Sequence, residues 1–157
     1  MTTEPTAVIV AGIIGSDTAK FLKEFFRGAI FVSVDQIRAD LDGSSLRRRT
    51  NSLAIWEEFR RQIVQALSKG RNVVIVPAFL RSQGRKALVE FCREAGAGEV
   101  DALRLMASRQ DWLQAAGSGQ VWTEEQPPET LLYMWRDLQK DPPSEREGFA
   151  NIHQVSM

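Results

Sequence analysis

The chain has 157 residues, 43% of them hydrophobic and 25% charged, enough for one domain with a real core. Twenty basic residues balance twenty acidic ones, so no bulk field draws it to nucleic acid, and polyanion binding requires a local patch. One cysteine and one histidine exclude an internal disulfide and leave little for a histidine-based metal site. The apolar runs are too short to span a bilayer, and the first residues lack a basic-plus-apolar signal pattern. The expectation is a cytoplasmic protein without a membrane partner.

In chain order, residues 1–6 read as a polar tail and 7–11 as a strand buried on both faces. Gly12-Ile13-Ile14-Gly15-Ser16-Asp17-Thr18-Ala19-Lys20 follows as a glycine turn opening a helix. Phe21, Leu22, Phe25 and Phe26 recur at helical spacing up to Gly28. Residues 29–34 form a second short run closed by Asp35, and 36–41 suit a short helix before the Asp42-Gly43 turn. A polar, basic stretch at 44–52 precedes a long amphipathic helix with Ile55, Trp56, Phe59, Ile63 and Leu67 on one face.

Residues 72–76 read as a third buried strand. Residues 81–95 suit a helix with Leu88, Phe91 and Cys92 inward, and Cys92 is expected as an inert core thiol. Residues 99–107 suit a strand and 109–116 a helix. Gly117-Ser118-Gly119 opens a lid-like, flexible segment expected over 117–127. Residues 129–140 form a last helix with Leu131, Leu132, Trp135 and Leu138 on a stripe, then Pro142-Pro143 and a strand over 150–155. Strands alternating with helices predict a single three-layer α/β domain over 1–157, with a central, mostly parallel sheet of about five strands.

The stretch from Gly12 is laid out like the phosphate-binding G-x-x-x-x-G-K-[ST] loop. Without gaps, Asp17, Thr18 and Ala19 occupy its last three positions, so neither the lysine nor the hydroxyl is present. With a gap, about three loop residues are deleted after Ser16, which is the preferred reading. Both readings remove the lysine; Lys20 is a weak substitute inside the helix. Asp17 adds negative charge where phosphates would sit. A unit charge pair at about 4 Å and an effective dielectric of about 20 is worth about 4 kcal/mol. Exchanging attraction for repulsion of half that size costs on the order of a thousandfold in affinity.

The order of pieces resembles the small P-loop kinases related to the kinase domain of phage-type polynucleotide kinase. The resemblance rests on Val8 to Gly15, Val32-Ser33-Val34-Asp35-Gln36-Ile37-Arg38, Gly70-Arg71-Asn72-Val73-Val74-Ile75, Pro128-Glu129-Thr130-Leu131-Leu132, and Pro142-Pro143 with Glu147-Gly148-Phe149. It implies that Asp35 is the general base for an acceptor hydroxyl and that Arg38 holds an acceptor phosphate. An Asp at a strand's carboxyl end and an Arg one turn on suit those roles. The alternative is that Asp35 caps the helix beginning at Gln36.

The chain departs from the family pattern in two further places. The third strand ends Val76-Pro77-Ala78-Phe79 where relatives place an Asp that organises Mg²⁺. Residues 114–126 contain no Arg or Lys where relatives carry lid arginines. The preferred expectation is a kinase-derived pseudoenzyme with a vestigial phosphate loop (Gly12, Gly15, Ser16, Asp17, Thr18), no cofactor, and an acceptor-side pocket at Asp35 and Arg38. Its expected partner is a nucleic acid, a nucleotide or a protein. The alternatives are an active polynucleotide or nucleoside kinase using Mg-ATP, and a protein-interaction subunit.

The basic cluster Arg47-Arg48-Arg49, followed by Arg60 and Arg61, is a candidate polyanion or partner surface; the alternative is a solvated face paired with Glu57 and Glu58. Trp122 is a candidate lid residue. Trp112, Trp122 and Trp135 are candidates for stacking on bases, with core packing favoured for Trp135.

Overall fold

A computed structural model describes residues 4–42, 52–77, 80–119 and 128–156. Five strands form one sheet: β1 (Thr6–Ala11), β2 (Ile30–Ser33), β3 (Val73–Val76), β4 (Glu99–Met106) and β5 (Ile152–Ser156). Their order is β2-β3-β1-β4-β5 and every pairing is parallel. In register, Val8 lies between Val74 and Asp101, and Arg104 lies between Ala11 and Gln154. The helices are α1 (Ser16–Phe25), α2 (Val34–Asp42), α3 (Ser52–Ser68), α4 (Ser82–Glu94), α5 (Arg109–Gly119) and α6 (Pro128–Lys140), with a short 3-10 turn at Glu145–Glu147.

Side-chain alternation sorts the strands onto two covered faces. Ala7, Ile9, Val32, Val73, Ile75, Val100 and Ala102 join Ile37 of α2, Ile55, Phe59 and Ile63 of α3, and Val89 and Cys92 of α4 in one core. Val8, Val10, Val74, Val76, Leu103 and Leu105 face the other way, against Ile14 and Leu22. A third cluster joins Ala11 and Ile13 to Trp112, Ala116, Leu131 and Leu138, and so seats α5 and α6 at the carboxyl end of β1.

Several boundaries differ from expectation. Thr6 belongs to β1, where its amide donates to Asn72 Oδ1 at 2.9 Å, so the polar tail is shorter. The second helix begins at Val34, so Asp35 lies in its first turn. Gly117, Ser118 and Gly119 complete α5 instead of opening a loop, because Ala115 and Ala116 are buried and hold the helix down. On α1 Leu22 is buried, whereas Phe21 and Phe25 are exposed and stack on each other at 5.8 Å.

Candidate functional site

The carboxyl ends of β1, β2 and β3 define the crevice where open parallel sheets bind ligands. On its first wall, residues 12–15 alone join β1 to α1. Gly12 has φ +137°, and a Cβ there would lie 2.9 Å from Leu105 Cβ. Ile13 and Ile14 are both buried, one under Trp112 and the other beside Leu22, so they fill space on either side of the turn. Gly15 is the extended N-cap residue, and its carbonyl accepts from the amide of Ala19 at 2.9 Å. Ser16, Asp17 and Thr18 therefore form the first turn of α1. A cavity of about 280 Å³ opens there, lined by Gly15, Ser16, Asp17, Thr18, Asp111, Gln114 and Ala115. Its charged groups are Asp17 and Asp111. Lys20 is exposed one turn further along α1.

On the second wall, Ser33 rather than Asp35 caps α2: the amide of Gln36 donates to Ser33 Oγ at 3.3 Å. That frees Asp35 from the capping role. Asp35 is 9% exposed, and among the described residues its Oδ1 has no hydrogen-bond partner. One turn on, the Nε of Arg38 is also buried without a partner. The two residues lie close enough to interact, yet neither orphan atom satisfies the other. Burial pushes the Asp35 carboxyl up to about 6, with the Arg38 guanidinium pulling the other way. Among the described residues, this end of the crevice thus holds a buried acceptor atom and a buried donor atom one helical turn apart, each without a hydrogen-bond partner.

The remaining candidates are distributed as follows. Val76 is 5% exposed and packs in the α1-side core, so its side chain supplies no ligating atom at the end of β3. Arg109 lies over the Trp135 ring, 5.6 Å from its centroid. Arg104 donates to Gln139 Oε1 at 3.3 Å, and its Nε is a third buried orphan. Trp112 is fully buried and donates its indole N–H to the Leu131 carbonyl at 2.8 Å; Trp135 donates to the Ala107 carbonyl at 2.8 Å. Base stacking by Trp112 is thereby corrected to a core role. Arg61 pairs with Glu58 of its own helix at 2.5 Å, as a solvated face would. Arg47, Arg48, Arg49, Trp122 and the lid-like residues 120–127 lie outside the described residues.

Sequence reading missed a buried hub. Arg85, 2% exposed, donates from Nε and a terminal nitrogen to both Glu147 carboxylate oxygens at 2.8 Å. It also donates to the carbonyls of Leu80 at 2.9 Å and Asp141 at 2.8 Å. Ser82 Oγ donates to Glu147 at 2.6 Å. Next to it, Arg81 reaches Asp137 at 3.3 Å and the Tyr133 hydroxyl at 2.7 Å. The segment leaving β3 is thus tied to α6 and to the 3-10 turn. Arg85 sits on the buried stripe of α4 with Leu88 and Cys92, a charge where the helical period demands an apolar residue. That was the available signal.

The strand order, the helix springing from β1 and the crevice beyond it define an α/β fold of the P-loop-kinase kind. The profile of the AAA domain family AAA_33 matches residues 8–115, well over half of the chain, and the chain belongs to that family. No curated protein sequence matches significantly. Among solved structures, a chain of the Pnkp1/Rnl/Hen1 RNA repair complex superposes with a TM-score of 0.71 at 17% identity, over 89% of this chain and 46% of that one. A Chloroflexus aurantiacus protein provisionally called a kinase gives 0.68 at 15% identity, over 99% and 87%. A gluconokinase from Sinorhizobium meliloti gives 0.54 at 19% identity, over 98% and 83%. These likenesses establish the fold. The chain spans about half the length of the RNA repair chain it resembles.

Proposed function

We propose that this chain is a kinase-derived binding protein that has lost its ATP-phosphate site and keeps an acceptor-side pocket at Asp35 and Arg38. The observation that carries the first half is the turn at residues 12–15 and the cavity beyond it, whose charged groups are Asp17 and Asp111. Phosphate loops bind through a cradle of amides, a lysine and a metal-holding hydroxyl. Here Ile13 and Ile14 are turned into the core, the lysine position is vacant in sequence, and two carboxylates oppose an anion. The residues present do not fit Mg-ATP, so no step is derived through it. The short turn favours deletion within the loop over simple substitution.

The pocket side rests on the unsatisfied Asp35 Oδ1 and Arg38 Nε. A guanidinium at a crevice suits a phosphate ester, and the fold's likeness to a subunit of an RNA repair complex makes a nucleic acid or nucleotide the first class to test. Calorimetry and thermal shift with Mg-ATP should show no Mg-dependent stabilisation. A 5′-hydroxyl oligonucleotide or a nucleotide should bind and be lost in Arg38→Ala. Tight Mg-ATP binding abolished by changes at Gly15 sinks the proposal.

One observation favours an active kinase as the second reading. A carboxyl poised at about 6 is well placed to take a hydroxyl proton near neutral pH. Phosphate transfer that disappears in Asp35→Asn would establish that reading.

A further inference from the structure

A second cavity opens on the α1 side of the sheet, over the amino-terminal half of β1 and β3 and away from the carboxyl-end crevice. It encloses about 520 Å³, within the range of about 300–1,000 Å³ usual for small-molecule sites. Val8 of β1, Val74 of β3, Leu103 of β4 and Val155 of β5 form its floor, and Phe21 and Phe25 of α1 stand along its wall. Both rings are exposed and stack at 5.8 Å, so they present an aromatic surface beside an apolar floor. An all-parallel sheet ordinarily hides both faces. Here the opposite face is covered by α2, α3 and α4. On this side, among the described residues, α1 is the helix whose residues join the core.

One floor residue breaks the apolar pattern. Asp101 pairs with Val8 in register, and alternation along β4 puts it on the same face as Leu103, where an apolar side chain is expected. It is 7% exposed and lines the cavity. Its Oδ1 accepts from Asn151 Nδ2 at 3.0 Å. Among the described residues nothing donates to its Oδ2: His153 Nε2, at 3.7 Å, is beyond hydrogen-bond reach and belongs to an exposed ring. A carboxylate buried with one donor carries a cost that a cation against its second oxygen removes.

We propose that this cavity binds an amphipathic amine, with an ammonium head donating to Asp101 Oδ2 and an apolar body lying on Val8, Leu103 and Val155 against Phe21 and Phe25. The amine arrives already protonated, so no covalent bond is made or broken. Burial of area holds the body. The buried charge on the floor selects the head. Arg27, the other lining residue of fixed charge, is exposed in the turn after α1, where water screens it. The site does not depend on how Asp35 and Arg38 are read.

Three probes share one body and differ in the head: phenylbutylamine, phenylbutanol and phenylbutyrate. Heteronuclear NMR titration of the wild-type chain at neutral pH should show the amine binding roughly tenfold or more tighter than the alcohol, the preference of a charge-assisted hydrogen bond over a neutral one, with the acid weakest. Amide shifts should gather at Val8, Phe25, Leu103 and Val155. Asp101→Asn keeps an acceptor for Asn151 and should bind amine and alcohol alike. Phe25→Ala, at a position 69% exposed and outside the core, should weaken both several-fold. Alcohol or acid binding as tightly as the amine to the wild-type chain overturns the proposal, and a tighter acid would assign recognition to Arg27. An amine preference that survives in Asp101→Asn, undiminished binding in Phe25→Ala, shifts that gather elsewhere, or no binding by any probe overturns it equally. If Asp101→Asn does not fold, the three-probe comparison on the wild-type chain decides the head group alone.

Discussion

The substitution Asp35→Asn tests the burial of the crevice carboxylate through stability alone, without a ligand. In the folded chain the Asp35 carboxyl is raised from 3.8 to about 6 by burial. Between those two values the native state binds more protons than the unfolded chain. Stability contributed by the neutral form is therefore full below about 4 and is lost as pH rises through about 6. The shift corresponds to about 3 kcal/mol, of which about 2–3 kcal/mol falls between pH 4 and pH 8. Asparagine cannot ionise and does not suffer that loss. The variant should match wild type at pH 4 and exceed it by about 2–3 kcal/mol at pH 8, or about 5–10 °C in Tm for a chain of this size. Urea unfolding at both pH values gives the comparison, and groups shared by the two proteins cancel in the difference. A gap that is the same at pH 4 and pH 8 refutes the buried-carboxylate argument. A variant less stable than wild type only at pH 8 would mean that the ionised form has a partner.

Other substitutions probe the frame around the crevice. Arg85→Met leaves the buried Glu147 carboxylate with only the Ser82 hydroxyl among the described residues, and should cost about 3–5 kcal/mol in urea unfolding. Pairing it with Glu147→Leu should restore a large part, whereas additive losses would refute the ion-pair account. Gly12→Ala places a Cβ against Leu105 at φ +137° and should cost about 2–4 kcal/mol; a neutral outcome would show that the turn shifts freely. Cys92, fully buried and pushed up to about 12 by burial, should resist thiol reagents at pH 8 until the chain unfolds. Fast labelling of the native chain would contradict its place in the core.

The α1 and α4 helices show where periodicity succeeds and where it fails. On α4 the stripe correctly put Leu88 and Cys92 inward, because helical geometry fixes which residues share a face. On α1 the helical spacing holds Phe21, Leu22 and Phe25, yet Leu22 is buried while Phe21 and Phe25 are exposed. Periodicity identifies a face but does not say how much of it the neighbouring elements cover. The alternative of Asp35 as a helix cap gave way for a related reason: the Ser33 hydroxyl, two residues earlier, accepts from the Gln36 amide, and the helix begins at Val34.

What the sequence determined by itself is the alternation of buried runs and amphipathic helices, and with it a parallel α/β sheet; local apolar pattern sets strand and helix because each must hide one or both faces. It also determined that the turn after the first strand lacks a lysine. Only the tertiary structure decided what that turn became: residues 12–15 joining β1 to α1 with two isoleucines in the core and two carboxylates at the cavity, one of them, Asp111, brought from α5. It alone joined Arg85 to Glu147 and left Asp35 Oδ1 and Arg38 Nε without hydrogen-bond partners among the described residues. Residues distant in the chain meet through packing, and whether a buried polar group finds a partner depends on what packing brings to it.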